Sequence, residues 1–418
     1  MAYNSRIADG ELHQGLTSSR IVVIEGPKAC GKTETARQVA ASEVLLDVDA
    51  GARQALRVDP TLVLDGDTPR LIDEWQLEAT TVWNNARRMA DDRRTPGQFI
   101  LTGSAVPADD DPSRHTGAGR VSTLRMRPMS LFESGHSSGD ISLEQLMNGV
   151  NPSAADPGMT VADLAERITT GGWPAHQDLP APSAARAARD YLQQIRQVDV
   201  GRLTGERRDP AKLGALMASL GRNVATEVAL TVLAADAGGA DGPLSRHTVY
   251  DYLAVLERLM IIEDQPAWAP HMRSKSILRH AAKRHFVDPS LAAAALGATP
   301  TRLVADLNLL GLMFESLVIR DLRILAQRLE GTVLHYRDNN GLEVDAVVQL
   351  ADGRWAGFEV KLGAGLVDQG AASLLRFSQQ IDTAKSGAPA ILGVITGTGY
   401  GYVREDGIAV IPIGTLAP

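Results

Sequence analysis

Residues 21–40 read IVVIEGPKACGKTETARQVA, and this stretch decides the fold. An apolar β-type run leads into Gly26, four intervening residues, then Gly31, Lys32 and Thr33, and a helical pattern follows. The G-x-x-x-x-G-K-[ST] spacing between a strand and a helix is that of a phosphate-binding loop. Its glycines let successive backbone N–H groups curl around phosphate oxygens, and the helix N-terminus adds favourable partial charge. Gly26, Pro27, Lys28, Ala29, Cys30, Gly31, Lys32, Thr33 and Glu34 are therefore the candidate nucleotide-binding residues. Lys32 is expected to neutralise the β- and γ-phosphates of ATP, and the Thr33 hydroxyl to ligate Mg2+. Cys30 is the only cysteine. A thiol at a helix N-terminus tends towards a lowered pKa, which predicts alkylation that Mg-ATP would block.

Outward from the loop, short apolar runs alternate with helical patterns over residues 20–105 (IVVIEG, VLLDVD, RLIDEW, FILTGS), which predicts a parallel sheet with crossover helices. The run Leu71–Ile72 ends in Asp73 and Glu74, about 40 residues after the loop. In such a place Asp73 would hold Mg2+ and Glu74 would polarise the attacking water. Thr102 and Ser104 end a further strand and are candidates to sense the γ-phosphate. Arg120 follows a polar stretch at 107–119 and is a candidate finger towards a neighbouring subunit.

A length of 418 residues predicts two or three domains. With 44% hydrophobic and 22% charged residues the chain has a globular rather than a disordered profile. One cysteine excludes an intrachain disulfide, no signal pattern opens the chain, and no apolar run nears the roughly 20 residues a bilayer span needs. The expectation is a cytoplasmic protein with no membrane partner. A net charge of −8 argues against a surface that coats nucleic acid throughout, but leaves room for a local basic face.

Such a face is found in the middle of the chain. Asn223–Glu227 is expected to start one helix, capped by Asn223 or Thr226, and Ser245 to cap a second that runs through VYDYLAVLERLM. Arg246, His247 and Tyr250 lie near the start of that second helix. Two helices and a strand-like piece in this order suit a winged helix-turn-helix. Between Gln265 and Val287 there is no acidic residue, while Arg273, Lys275 and Lys283 are present. These six residues are the candidate DNA contacts.

Towards the C-terminus, Glu343 and Asp345 lie two apart in LEVDAVVQL, and Glu359 and Lys361 two apart in GFEVKLG. On strands, each pair projects from one face, and a turn at 351–353 would bring the pairs together. Glu315 lies on the amphipathic helix before them. This order resembles the PD-(D/E)xK nuclease signature. The resemblance implies catalytic roles for Glu315, Asp345, Glu359 and Lys361, with Asp345 and Glu359 as metal ligands.

The strings GPKACGKTETA, RLIDEWQ, FILTGSA, GRVSTLRMRPMSLFE and GGWPAHQ together resemble prokaryotic AAA-superfamily ATPases with a C-terminal domain of unknown function. The resemblance runs from residue 20 to about 400. It implies an ATPase core, then a winged helix, then a restriction-endonuclease-like α/β domain, assembled as a homo-oligomer. It also implies that Thr102 or Ser104 is the sensor and Arg120 an intersubunit residue. The expected division is 1–140 for the P-loop core, 141–205 for a helical lid, 206–295 for the winged helix and 300–418 for the nuclease-like domain. The expected activity is Mg2+-dependent ATP hydrolysis that remodels or processes DNA. The alternative is a regulatory ATPase whose C-terminal domain is a binding scaffold.

Overall fold

In the computed structural model, residues 3–104, 117–199, 209–270 and 281–418 are described. Arg273, Lys275 and most of the polar stretch at 107–119 lie outside them. Contacts divide the chain into residues 1–128 with 258–260, and residues 129–257 with 261–418. Sequence texture suggested four segments. The observed division at 128 follows from local bonding, because Met129 N–H donates to Gly172 O and Leu131 N–H to the buried carboxylate of Asp321.

The first unit holds an all-parallel sheet in the order β2-β3-β4-β1-β5. Its strands are β1 (Ile21–Glu25), β2 (Ser42–Leu45), β3 (Arg70–Asp73), β4 (Phe99–Gly103) and β5 (Val121–Arg125). The connections are helical: α1 (Ile7–Ser18) precedes β1, α2 (Lys32–Arg37) follows it, α3 (Ala50–Val58) and α4 (Thr61–Leu64) join β2 to β3, and α5 (Ala79–Arg93) joins β3 to β4. Near-continuous apolar runs suit strands covered on both faces. Ile21, Val23, Ile72, Phe99 and Leu101 accordingly share one core with Val82, Trp83 and Ala86 of α5. The register sets Asp73 beside Thr102 and Glu25 beside Gly103, so the polar strand ends converge at the C-terminal edge, where α/β sheets hold ligands.

The second unit begins with β6 (Ile141–Ser142), α6 (Leu143–Met147), α7 (Val161–Thr170) and α8 (Ala181–Gln194). Then come α9 (Pro210–Arg222), α10 (Leu230–Gly238) and α11 (Arg246–Arg258). The helix expected to start at Asn223 starts instead at Leu230. Asn223 closes α9, with its side chain bonded to Ser219 O, and Thr226 bridges to Arg284. Ser245 caps α11 as its sequence predicts, accepting from Thr248 N–H at 3.1 Å. An antiparallel pair follows, β7 (Ile262–Gln265) with β8 (Lys283–Phe286).

Next come α12 (Pro289–Ala295), α13 (Pro300–Ala305) and the 21-residue α14 (Leu307–Gln327), buried over most of its length. A six-stranded mixed sheet completes the unit in the order β13-β14-β12-β11-β10-β9. Its members are β9 (Thr332–Arg337), β10 (Glu343–Gln349), β11 (Trp355–Lys361), β12 (Leu392–Thr396), β13 (Tyr402–Val403) and β14 (Ala409–Pro412). The helix α15 (Val367–Gln380) lies against it and buries Leu374 and Phe377 with Trp268, Trp355 and Val394. The short β15 (Leu416–Ala417) pairs with β6.

Candidate functional site

The phosphate loop leaves β1 with a backbone that few sequences tolerate. Ala29 and Gly31 have positive φ angles of 61° and 106°. At Gly26 a Cβ would stand 2.3 Å from Met126 O, so no side chain fits there. Arg6 holds the loop from outside: its guanidinium donates to Cys30 O and to Arg127 O, each at 2.8 Å. The sequence offered no signal for this residue, since Arg6 lies in a polar N-terminal segment with no motif. Cys30 is fully buried, which removes the exposure that reactive thiols need. The easily alkylated cysteine expected from the helix N-terminus is therefore corrected.

Lys32 is buried, and its ammonium donates to Gly26 O at 2.9 Å and Pro27 O at 2.8 Å. The loop carbonyls thus park the cation at the place where phosphate oxygens would compete for it. Thr33 donates to Asp73 Oδ1 at 3.0 Å, and Thr102 donates to the same oxygen. Two hydroxyls and a carboxylate from three elements converge on one point. Such hard oxygen donors suit Mg2+, which takes one or two protein groups and completes its shell with phosphate and water.

Glu74 follows Asp73 in the left-handed region, at φ 51° and ψ 40°. That conformation is uncommon for a residue with a Cβ and is retained where the surroundings fix it. Here the surroundings are Ser104, whose hydroxyl donates to Glu74 Oε2 at 3.1 Å, and Gln76, whose amide donates to the same oxygen. Gln76 stands two positions after Glu74, and the fold turns its amide back onto that carboxylate. Arg120 pairs with Asp91 at 2.7 Å and donates to Ala118 O. Its guanidinium therefore has partners within its own unit.

Arg246, His247 and Tyr250 are exposed on the first turns of α11. His247 lies 3.8 Å from Asp251 on the same face. Lys283 does not join them. It is 2% exposed, so the expectation of a surface phosphate contact is corrected.

The reason is its partners. The Lys283 ammonium lies 2.7 Å from Glu315, 2.7 Å from Glu343 and 3.5 Å from Asp345. On the other side, Lys361 lies 2.6 Å from Glu359 and 3.6 Å from Asp345. The hairpin of β10 and β11 thus brings Glu343, Asp345, Glu359 and Lys361 together, and α14 adds Glu315. Burial and the charge of Asp345 push the Glu315 carboxyl up to about 8 and that of Glu359 up to about 7. Burial opposes the charge on Lys283, but Glu315, Asp345 and Glu343 outweigh it and hold its pKa above the ordinary value.

A divalent ion fits this arrangement poorly. Mg2+ draws oxygens to roughly 2.0–2.1 Å of one point, whereas these oxygens surround an ammonium with three donors at hydrogen-bonding distance. Among the described residues no group of three or more His, Cys, Asp or Glu side chains is arranged to hold a metal ion. Asp345 is instead held between the ammoniums of Lys283 and Lys361, and Glu359 pairs with Lys361. Glu343, Asp345, Glu359 and Lys361 themselves line a cleft of about 430 Å³, together with Ser373 and Arg376 of α15.

Residues 18–134 match the model of a family described as AAA domain. Residues 161–302 and 310–416 match two domains of unknown function, DUF8612 and DUF4143. Together with the loop and the Asp73–Glu74 strand end, the first match makes the first unit an AAA-type ATPase domain. No curated protein matches the chain. Among solved structures, the Walker-type ATPase PABY2304 of Pyrococcus abyssi is similar at 13% identity and a TM-score of 0.40, over 69% of this chain and 94% of that one. Among the described residues, no helix is long and apolar enough to cross a membrane.

Proposed function

We propose that this chain hydrolyses Mg-ATP in its first unit and couples that cycle to DNA through its second. The observation that carries the ATPase part is Asp73 Oδ1, which accepts hydroxyl hydrogens from Thr33 and Thr102 together. Thr33 and Asp73 would hold Mg2+, which when bound screens the phosphate charge that builds up during transfer. Lys32 would leave its loop carbonyls for the β- and γ-phosphate oxygens. Glu74, oriented by Ser104 and Gln76, would take the proton of the attacking water. Thr102 would report the state of the γ-phosphate through Asp73. Assembly as a homo-oligomer belongs to this reading, but the Asp91 pair argues against Arg120 as its finger.

The DNA part rests on the exposed start of α11, where Arg246, His247 and Tyr250 stand ahead of the β7–β8 pair in a winged-helix order. The test is ATP turnover with and without duplex, single-stranded, forked and four-way DNA, alongside binding at several salt concentrations. DNA-stimulated turnover and a negative salt slope are expected. Turnover that ignores every DNA, with no salt-dependent binding, overturns the DNA reading and leaves the ATPase.

One observation favours a binding scaffold over a nuclease in the C-terminal sheet: Lys283 fills the carboxylate cluster. We therefore assign no cleavage step to Glu315, Asp345, Glu359 or Lys361.

A further inference from the structure

We propose that Lys283 is the resident cation of the C-terminal carboxylate cluster, a tethered ammonium that keeps a divalent-cation site from forming while β8 is docked. The inference concerns the second unit alone and rests on the scaffold reading of that unit. It stands whether or not the first unit turns over ATP.

Three features of the structure support it. The first is stoichiometry. A lysine ammonium has three N–H donors and no acceptor, and three carboxylates from two elements face it: Glu315 on α14, and Glu343 and Asp345 on β10. With Lys361 serving Glu359 and Asp345, the cluster has two cations of its own.

The second feature is that β8 is fixed in register by an independent set of bonds. His285 shares the Lys283 face of β8, two residues on, and is completely buried. Its Nε2 bonds Gln265 Oε1 at 3.0 Å and its Nδ1 bonds Ser316 Oγ at 3.2 Å. Ser316 is the residue after Glu315. Gln265, the register partner of Lys283, donates its amide to Leu334 O and to Asp345 O, each at 2.9 Å. One side-chain chain thus runs from the backbone of Asp345 through Gln265 and His285 to the residue beside Glu315. Burial holds His285 well below its ordinary pKa, so it stays neutral and adds no competing charge beside Lys283.

The third feature is competition. An ion entering between Glu315, Glu343 and Asp345 must displace an ammonium hydrogen-bonded to Glu315 and ion-paired with Glu343 and Asp345. The displaced ammonium would then be buried without partners, which is strongly unfavourable.

The test uses the full, nucleotide-free chain carrying Thr33→Ala, so that the phosphate loop contributes no metal site. Mn2+ is titrated and the free ion followed by electron paramagnetic resonance. With Lys283 present, no binding that Asp345→Asn removes is expected. Lys283→Met, which keeps the stem and deletes the charge, should gain a saturable Mn2+ site at least about tenfold tighter than any in the parent chain. Asp345→Asn should remove that gain. If Lys283→Met is unstable, its melting temperature should rise with Mn2+ while that of the parent does not. The proposal is overturned if the parent chain binds Mn2+ through Asp345, or if Lys283→Met acquires neither Mn2+ binding nor Mn2+-dependent stability. Mn2+ binding through Asp345 in the parent, accompanied by DNA cleavage, would also overturn the scaffold reading. Binding without cleavage would overturn this proposal alone.

Discussion

Thr102 and Asp73 are register partners on adjacent parallel strands, and the threonine hydroxyl donates to the buried carboxylate. The same carboxylate oxygen accepts from Thr33 at 3.0 Å. Thr102→Val keeps the shape and removes one of the two donors, leaving Asp73 free to rotate. We expect the turnover number for ATP to fall by roughly 10–100-fold, as when an outer partner of a metal ligand is lost. Nucleotide affinity, measured with a fluorescent ATP analogue, should change by less than about threefold, because the loop contacts are untouched. A drop in affinity with turnover unchanged would place Thr102 in binding rather than in sensing.

Lys32 and Glu74 separate binding from chemistry. Lys32→Met should abolish detectable ATP binding, because the loop loses its principal phosphate cation. Glu74→Gln should bind ATP normally and lose about 10²–10⁴ in turnover, the usual worth of a general base. Hydrolysis by Glu74→Gln at the parent rate would exclude Glu74 as that base.

Cys30 has no exposed surface, and its sulfur lies 3.9 Å from Met126 O. A maleimide should label the native chain slowly, and Mg-ATP should alter the rate little. Labelling should become complete in denaturant. Fast native labelling that ATP suppresses would mean that the loop opens far more often than its packing suggests.

Glu315 and Glu359 give the second unit a defined pH response. Their folded pKa values are raised from 4.5 to about 8 and about 7, so between pH 4.5 and 8 the folded state holds more protons than the unfolded one. Stability must then fall as pH rises through that window, by up to about 1.4 kcal/mol per pH unit for each carboxyl. Asp345 is shifted the other way, and its contribution is lost only at lower pH. Calorimetry across the window should show a falling transition temperature, and Glu315→Gln should flatten the slope. A slope unchanged in Glu315→Gln would remove Glu315 as its source.

Arg246 is exposed at the start of α11. Arg246→Ala should weaken DNA binding across all sequences and reduce the slope of log K against log salt by about 1. An unchanged slope would return this face to solvent.

The ATPase half was legible because its signal is local. Gly26 to Thr33, and Asp73 with Glu74, each carry their chemistry in a few consecutive residues between a strand and a helix. The hairpin of β10 and β11 was legible for a similar reason, since period-2 spacing fixes which side chains share a face. Lys283 was not. In sequence it sits in a run without acids, and that local absence suggested a basic surface. Its partners lie 32 and more positions away, and only the packing of β8 on α14 and β10 brings them together. The helix start misplaced at Asn223 has the same origin, because the bridge of Thr226 to Arg284 is long-range. Arg6 and Gln76 belong to this class too, being defined by what they touch.

Boundaries between sequence families usually mark where evolution recombines independent modules. Here the two family boundaries fall at 302 and 310, yet Lys283 and His285 lie on one side and Glu315, Ser316 and Asp345 on the other. A C-terminal piece cut at residue 310 would inherit four clustered carboxylates with one of their two lysines. Transplanted beside a foreign middle segment, it would carry the same deficit unless the new neighbour supplied a buried cation at the same point. The two segments thus share one charge-balanced cluster, and neither carries the balance alone.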